Sequence, residues 1–183
     1  MTLKDLNIDK NWTLFLDRDG VINTKLEDDY VKHWIEFEFI DGVLNSLKKL
    51  DAVFGTIVVV TNQQCIGKGI IRIEDLDLIH KNMMYEITYL KGRIDKIYFS
   101  PYLHSENHPT RKPGIGMALQ AKKDFPHIDF SKAIIVGDSM SDMEFGRNAG
   151  IKTVYVSEKD KQDDRIDFNV RSLLDFTNSI STN

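Results

Sequence analysis

FLDRDGVIN, Phe15 to Asn23, joins an apolar run to a glycine turn and sets two aspartates, Asp17 and Asp19, at the junction. Like charges at close range repel and raise each other's pKa. A chain keeps such a pair where a cation sits between them, where one carboxyl works as an acid, or where both hold.

The apolar run, Trp12 to Asp17, reads as a strand. Further strands are expected in TIVVVTN (Thr56 to Asn62), KIYFS (Lys96 to Ser100), AIIVGD (Ala133 to Asp138) and KTVYV (Lys152 to Val156). Thr56 to Asn62 is β-branched and apolar enough for burial on both faces. Between the strands, apolar residues recur at three and four. Val43, Leu44, Leu47 and Leu50 predict a helix over Asp41 to Leu50, with Asp41 as N-cap. Leu76, Ile79, Met83, Ile87 and Leu90 predict another from Glu74. Gly116 to Phe125, Ser141 to Ala149 (stopped by Gly150) and Val170 to Ile180 complete the set, and Ser157 to Asp167 is a charged surface loop. The alternation implies a mostly parallel sheet of about five core strands with helices on both faces, in one domain over residues 1–183.

The chain has 183 residues, enough for a substantial core. A net charge of −4 gives no broad basic footprint for nucleic acid. The single cysteine, Cys65, excludes an internal disulfide and any multi-cysteine zinc cluster, which fits a reducing compartment. No stretch approaches the roughly 20 apolar residues of a membrane span, and the N-terminus lacks a signal peptide's apolar core. A cytoplasmic protein is expected, a monomer or small homo-oligomer, with neither nucleic acid nor membrane as partner.

In open α/β sheets ligands bind beyond the carboxyl ends of the strands. That edge collects the unusual residues: Asp17 and Asp19, Thr61 and Asn62, Asp138 followed by Asp142, and, in the loop after the third strand, Arg111 and Lys112. Carboxylates, a hydroxyl and cations together suit phosphate chemistry with a hard cation. Mg²⁺ takes oxygen ligands and keeps several waters, so one or two carboxylates and a substrate phosphate suffice. A carboxylate can attack phosphorus and split one hard step into two, and a second can give and take the protons.

DRDGV after an apolar strand, VVVTN, RKPG and VGDSMSD, in that order, resemble the four motifs of the haloacid dehalogenase (HAD) superfamily. The resemblance runs from about Leu14 to Val156. It implies a Rossmann-like HAD fold, with Asp17 as nucleophile and Mg²⁺ ligand. Asp19 would be the general acid and base, lending its backbone carbonyl to the metal. Thr61 would bond the transferring phosphoryl group and Lys112 neutralise it. Asp138 would be a metal ligand and Asp142 would orient the metal shell. DRDGVIN, TNQQCIGKG and RKPGIGM resemble more closely the histidinol-phosphate and D,D-heptose 1,7-bisphosphate phosphatase group. That group is nearly capless, and the stretches between motifs here leave room for a minimal cap at most. Its pattern implies substrate contacts from Asn23 to Tyr30, from Thr61 to Gln64 (Asn62 and Gln63 included), and from Arg111 with Lys112. A sugar phosphate such as D-glycero-D-manno-heptose 1,7-bisphosphate is the implied substrate, with histidinol phosphate as the alternative.

The chain departs from the group in one place. The group carries a zinc loop before RKP, with a Cys-x-His and then a Cys-x-Cys pair. Here Ser100 and Tyr102 stand at the first pair and His108 and Thr110 at the second. His104 and His108 would supply two ligands of the four that structural zinc needs, and only one falls on a group position. No zinc is expected. Pro101, Pro109 and Pro113 reduce the chain's freedom there and lower the entropy cost of ordering it.

Plainer roles stand beside these. Thr61 and Asn62 would serve as turn formers, Arg111 and Lys112 as a solvated pair, and Gly67 to Gly69 as either a phosphate cradle or a flexible turn. His80 reads as a packed or exposed helix residue, Trp34 as packing or a residue lining the site, and Cys65 as a small buried residue. A phosphoacceptor domain would also carry an aspartate, a threonine and a lysine, but with its acidic pair in the other order and without Asp19. A non-catalytic scaffold would not need the complete set. A nucleic-acid 3′-phosphate is a further substrate class, disfavoured by the acidic balance.

Overall fold

The computed structural model describes residues 2–180; Met1 and residues 181–183, the ends of the expected domain, lie outside the described residues. Among the described residues six strands form one sheet: β1 (Thr13–Leu16), β2 (Thr56–Asn62), β3 (Lys96–Ser100), β4 (Ala133–Gly137), β5 (Lys152–Val156) and β6 (Phe168–Val170). Their spatial order is β3-β2-β1-β4-β5-β6, and every pairing is parallel. The five expected core strands are all present, and a sixth lies at the β5 edge. The sixth is only three residues long and follows directly on the charged loop, so no apolar run announces it.

Alternation along the central strands sorts the core into two faces, because successive side chains point to opposite sides. Leu14, Leu16, Ile57, Val59, Ile134 and Val136 share one apolar cluster, while Phe15, Val58, Val60 and Ile135 share the other. Onto the first face pack α1 (Val43–Val53), α3 (Ile73–Tyr89) and α6 (Leu173–Ser179), through residues such as Leu47, Ile79, Met83 and Phe176. On the second lie α4 (Gly116–Asp124) and α5 (Met140–Ala149), through Met117, Ala121 and Phe145. Phe145 is fully buried, worth roughly 1.5–3 kcal/mol in transfer from water. A short helix, α2 (Gln64–Gly67), follows β2 directly.

Some helix ends differ from expectation. α1 begins at Val43 with Gly42 at its N-cap in the left-handed region, so Asp41 does not cap it. α6 starts at Leu173, capped by Ser172, whose side chain accepts from the Asp175 N–H; Val170 belongs to β6. Gly150 ends α5 with φ +73°, the left-handed stop that glycine adopts without strain.

The strand order reverses between β1 and β4, the switch point where such sheets open a crevice at their carboxyl ends. Residues 17–42 run from β1 to α1 with one short 3-10 turn at Trp34–Glu36. Trp34 stacks on Phe37 at 4.9 Å between ring centroids, a packing role.

Candidate active site

β1 ends at Leu16, and the Asp17 N–H still donates to the Val136 carbonyl of β4 at 3.0 Å. That bond ties the first aspartate to the switch point. The chain then turns tightly: the Arg18 carbonyl accepts from the N–H groups of Val21, Ile22 and Asn23. Gly20 makes the turn with φ +86°, and a Cβ there would overlap the carboxylate of Asp138. A Cβ at Gly137, the last residue of β4, would overlap Asp142 in the same way. These two glycines are the reason the carboxylates can approach.

Asp17, Asp138 and Asp142 each offer an oxygen within 4.8 Å of the others. Lys112 enters this cluster almost wholly out of solvent. Its Nζ lies 3.0 Å from Asp17, 2.5 Å from Asp142 and 2.7 Å from the Val60 carbonyl, to which it donates. Burial would lower this lysine's pKa, but Asp142 and Asp17 raise it above the ordinary value. Asp142 is held on its other oxygen by the N–H and hydroxyl of Ser139, at 3.0 and 2.6 Å. With no metal bound, burial, and then the charge of Asp142, lift the Asp17 carboxyl to about 7 against the pull of Lys112. Burial raises Asp138 as well.

The donor set fits Mg²⁺. It is all oxygen, it is over-rich in negative charge, and Oδ1 of Asp138 is buried with no hydrogen-bond partner among the described residues. An orphaned acceptor of that kind costs free energy unless a cation or water meets it. The other Asp138 oxygen accepts from Lys25 at 2.7 Å, a contact with no signal in the sequence, since Lys25 lies 113 residues away.

Asp19 is placed differently. Both its oxygens accept from Nη2 of Arg18, at 2.9 and 3.0 Å. Asn23 donates to Oδ1 at 3.0 Å and Gln63 to Oδ2 at 2.8 Å. Burial alone would raise this carboxyl, but the charge and hydrogen bonds of Arg18, with Asn23 and Gln63, hold it below the usual range. Gln63 also donates to the Thr61 hydroxyl at 2.9 Å, which links the two motifs. Asn62 clamps the backbone of Lys112: its amide donates to the Lys112 carbonyl at 3.1 Å and accepts the Lys112 N–H at 3.0 Å.

Asp17, Asp19, Thr61, Gln63, Lys112 and Asp138 line a cavity of about 260 Å³ at the carboxyl edge of the sheet. Its outer wall carries Tyr30 and Arg111. The Tyr30 hydroxyl accepts from Gln64 and from Lys68, both at 2.9 Å. Gly67 to Gly69 closes α2 as a turn, with the Gly67 N–H donating to the Pro101 carbonyl. Burial lowers the pKa of Arg111, whose Nη1 donates to the Tyr102 carbonyl at 3.2 Å.

The loop that leads into Arg111 is tied by the four side chains at the expected departure. The Tyr102 and His108 rings stack. Nδ1 of His108 accepts the Thr110 N–H at 3.2 Å, so that nitrogen carries no proton and the Thr110 hydroxyl, 2.7 Å away, must donate to it. The Thr110 oxygen is left to accept from Ser100 at 3.2 Å.

Two residues of the site escaped the sequence reading. Arg18 is fully buried beside the aspartates, and His80 of α3 meets it, Nε2 lying 3.1 Å from Nη1. His80 had a signal: with Leu76, Met83 and Ile87 it falls on the buried stripe of its helix.

An open parallel sheet with an aspartate pair at β1, a strand-end threonine, a buried lysine and a carboxylate pair after β4 defines a hydrolase of the HAD type. The chain belongs to the polynucleotide kinase 3 phosphatase family, whose model matches residues 8–178, and it is a phosphatase by that kinship. It is 38% identical over 170 residues to the D-glycero-alpha-D-manno-heptose-1,7-bisphosphate 7-phosphatase of Campylobacter jejuni, covering 91% of this chain and 96% of that one. With the enzyme of the same name from Mycobacterium bovis it shares 40% over 137 residues, 75% of this chain and 72% of the relative. The crystal structure of D,D-heptose 1,7-bisphosphate phosphatase from B. bronchiseptica, complexed with magnesium and phosphate, superposes with a TM-score of 0.82 at 25% identity. That match covers 91% of this chain and 96% of that one.

Proposed function

We propose that this chain hydrolyses a sugar phosphate, D-glycero-D-manno-heptose 1,7-bisphosphate first among candidates, with Asp17 as nucleophile. The observation that carries the reading is the buried Asp17–Lys112–Asp142 contact at the carboxyl end of β1. Mg²⁺ held by Asp17, Asp138, Asp142 and the Asp19 carbonyl would supply the positive charge that keeps the carboxylates ionised and draws in the phosphoryl group.

The chain's own residues do the rest. Asp17 attacks phosphorus and the ester oxygen leaves, taking a proton from Asp19, which must first have taken one up because its partners hold the free carboxyl below the usual range. A water, deprotonated by the same carboxylate, then displaces the phosphoryl group from Asp17. Thr61 and Lys112 hold the transferring group. Asn62 acts through the Lys112 backbone, and Gln63, Arg111 and Tyr30 shape the wall that meets the rest of the substrate. The names of the relatives support the heptose substrate, and the cavity suits a small molecule. A single domain with at most a minimal cap fits residues 17–42, which are loop and turn.

The reading includes a cytoplasmic enzyme, a monomer or small homo-oligomer, that binds neither nucleic acid nor zinc. Among the described residues no helix is long and apolar enough to cross a membrane. A panel of heptose bisphosphate, histidinol phosphate, other sugar phosphates and a 3′-phosphorylated oligonucleotide, each with Mg²⁺, tests it. Preference for the heptose ester is expected; preference for the oligonucleotide overturns the substrate class.

A further inference from the structure

Arg18 is a buried guanidinium, and burying a charge is costly unless it is paired and hydrogen-bonded. Replacing a buried ion pair by apolar groups is often neutral or stabilising, so stability alone gives little reason to keep one. The guanidinium spans two partners. Nη2 donates to both oxygens of Asp19, and Nη1 faces Nε2 of His80 at 3.1 Å. A guanidinium has no acceptor, so Nε2 of His80 must be the acceptor and the ring proton sits on Nδ1. Burial, and then the charge of Arg18, push the imidazole down to about 3, which agrees with a neutral ring. His80 is itself fixed: it is buried on α3 and meets Phe99 of β3 edge-on at 6.2 Å.

We propose that His80 is a positioning residue for Asp19, acting through Arg18. The sheet-packed helix α3 sets the imidazole, the imidazole sets the plane of the guanidinium, and the guanidinium sets both oxygens of Asp19. Asn23 and Gln63 donate to the same two oxygens, so the carboxylate is held in one orientation, and a proton it takes up displaces one of these donors. This inference rests on the acid–base role proposed above for Asp19. It adds a residue from a helix that contributes nothing else to the chemistry.

The test uses two esters that differ in their need for an acid. A sugar phosphate releases an alkoxide that must be protonated. p-Nitrophenyl phosphate releases a stable anion that need not be. A misaligned Asp19 therefore slows both chemical steps on the sugar ester, but only the second, water-activating step on the aryl ester. His80→Phe keeps a ring of similar size and removes the acceptor. Its kcat on the sugar phosphate is expected to fall about tenfold or more, up to the roughly 10²–10⁴-fold that acid–base catalysis supplies, at little change in KM. On p-nitrophenyl phosphate, stopped-flow should show a burst of one nitrophenolate per enzyme, then slow turnover. His80→Gln, whose amide oxygen can accept from Arg18, should recover most of the rate. If His80→Phe does not fold, Arg18→Gln is read for the same pattern.

Equal losses on both esters without a burst, or a rate within about twofold of wild type on the sugar ester, overturn the inference. Wild-type protein inactive on both esters with Mg²⁺ would instead overturn the phosphatase mechanism.

Discussion

Nζ of Lys112 lies 3.0 Å from the carboxylate of Asp17, and the same ammonium reaches Asp142 at 2.5 Å. One buried cation thus serves two carboxylates, one just past the end of β1 and one in the first turn of α5, with Asp138 beside them. Removing one partner of a buried pair leaves an uncompensated charge and costs roughly 3–5 kcal/mol. Lys112→Met is expected to lose activity and, without metal, to unfold at lower denaturant by about that amount. Urea melts in chelator check it; an unchanged midpoint would show that Lys112 does not hold the cluster.

Asp17→Asn should act in the opposite sense on stability. With no metal bound, Asp17 titrates at about 7, against an ordinary value of 3.8. Between those values the folded protein keeps a proton that the unfolded chain has lost, so this group lowers stability as pH rises through the window. The penalty is full above about 7, absent below about 3.8, and on the order of a few kcal/mol. In chelator, Asp17→Asn should melt above wild type at about pH 8, and the gap should close toward about pH 4. A gap independent of pH would contradict the buried-repulsion picture.

Gly20 separates backbone strain from crowding. Gly20 and Gly150 both have positive φ, +86° and +73°, but only at Gly20 would a Cβ meet a site carboxylate. Alanine at either position should cost about 1–3 kcal/mol of strain. Gly20→Ala should also weaken Mg²⁺ binding by calorimetry, and Gly150→Ala should not. Equal affinities in the two variants would mean that Asp138 does not need that space.

Side chains tie the loop before Arg111. Thr110→Val breaks two of its hydrogen bonds, to His108 and Ser100, and should raise KM more than it lowers kcat, because Arg111 is tied to Tyr102 in the same loop. Elemental analysis of protein purified without added zinc should find none in stoichiometric amount; zinc bound through His104 and His108 would reverse this reading.

The central strands were legible in the sequence because burial on both faces leaves continuous apolar runs, as in Thr56 to Asn62. The position of Asp17 followed from the strand that ends before it. β6 and α2, of three and four residues, are too short to show a period. The Asp41 cap failed because Gly42 takes the left-handed turn instead. Within the site, residue types and strand ends were readable, but partners were not. Lys25 meets Asp138 and His80 meets Arg18 across 113 and 62 residues, which local spacing does not encode.

The central claim is that Asp17 carries the phosphoryl group during turnover. Rapid acid quench of enzyme mixed with substrate and Mg²⁺, followed by peptide mass spectrometry, measures it directly. One phosphoryl group on the peptide containing Asp17 is expected, absent from Asp17→Asn and absent in excess chelator. Wild-type turnover with no phosphoryl group on that peptide at any quench time, or undiminished turnover by Asp17→Asn, would contradict the assignment.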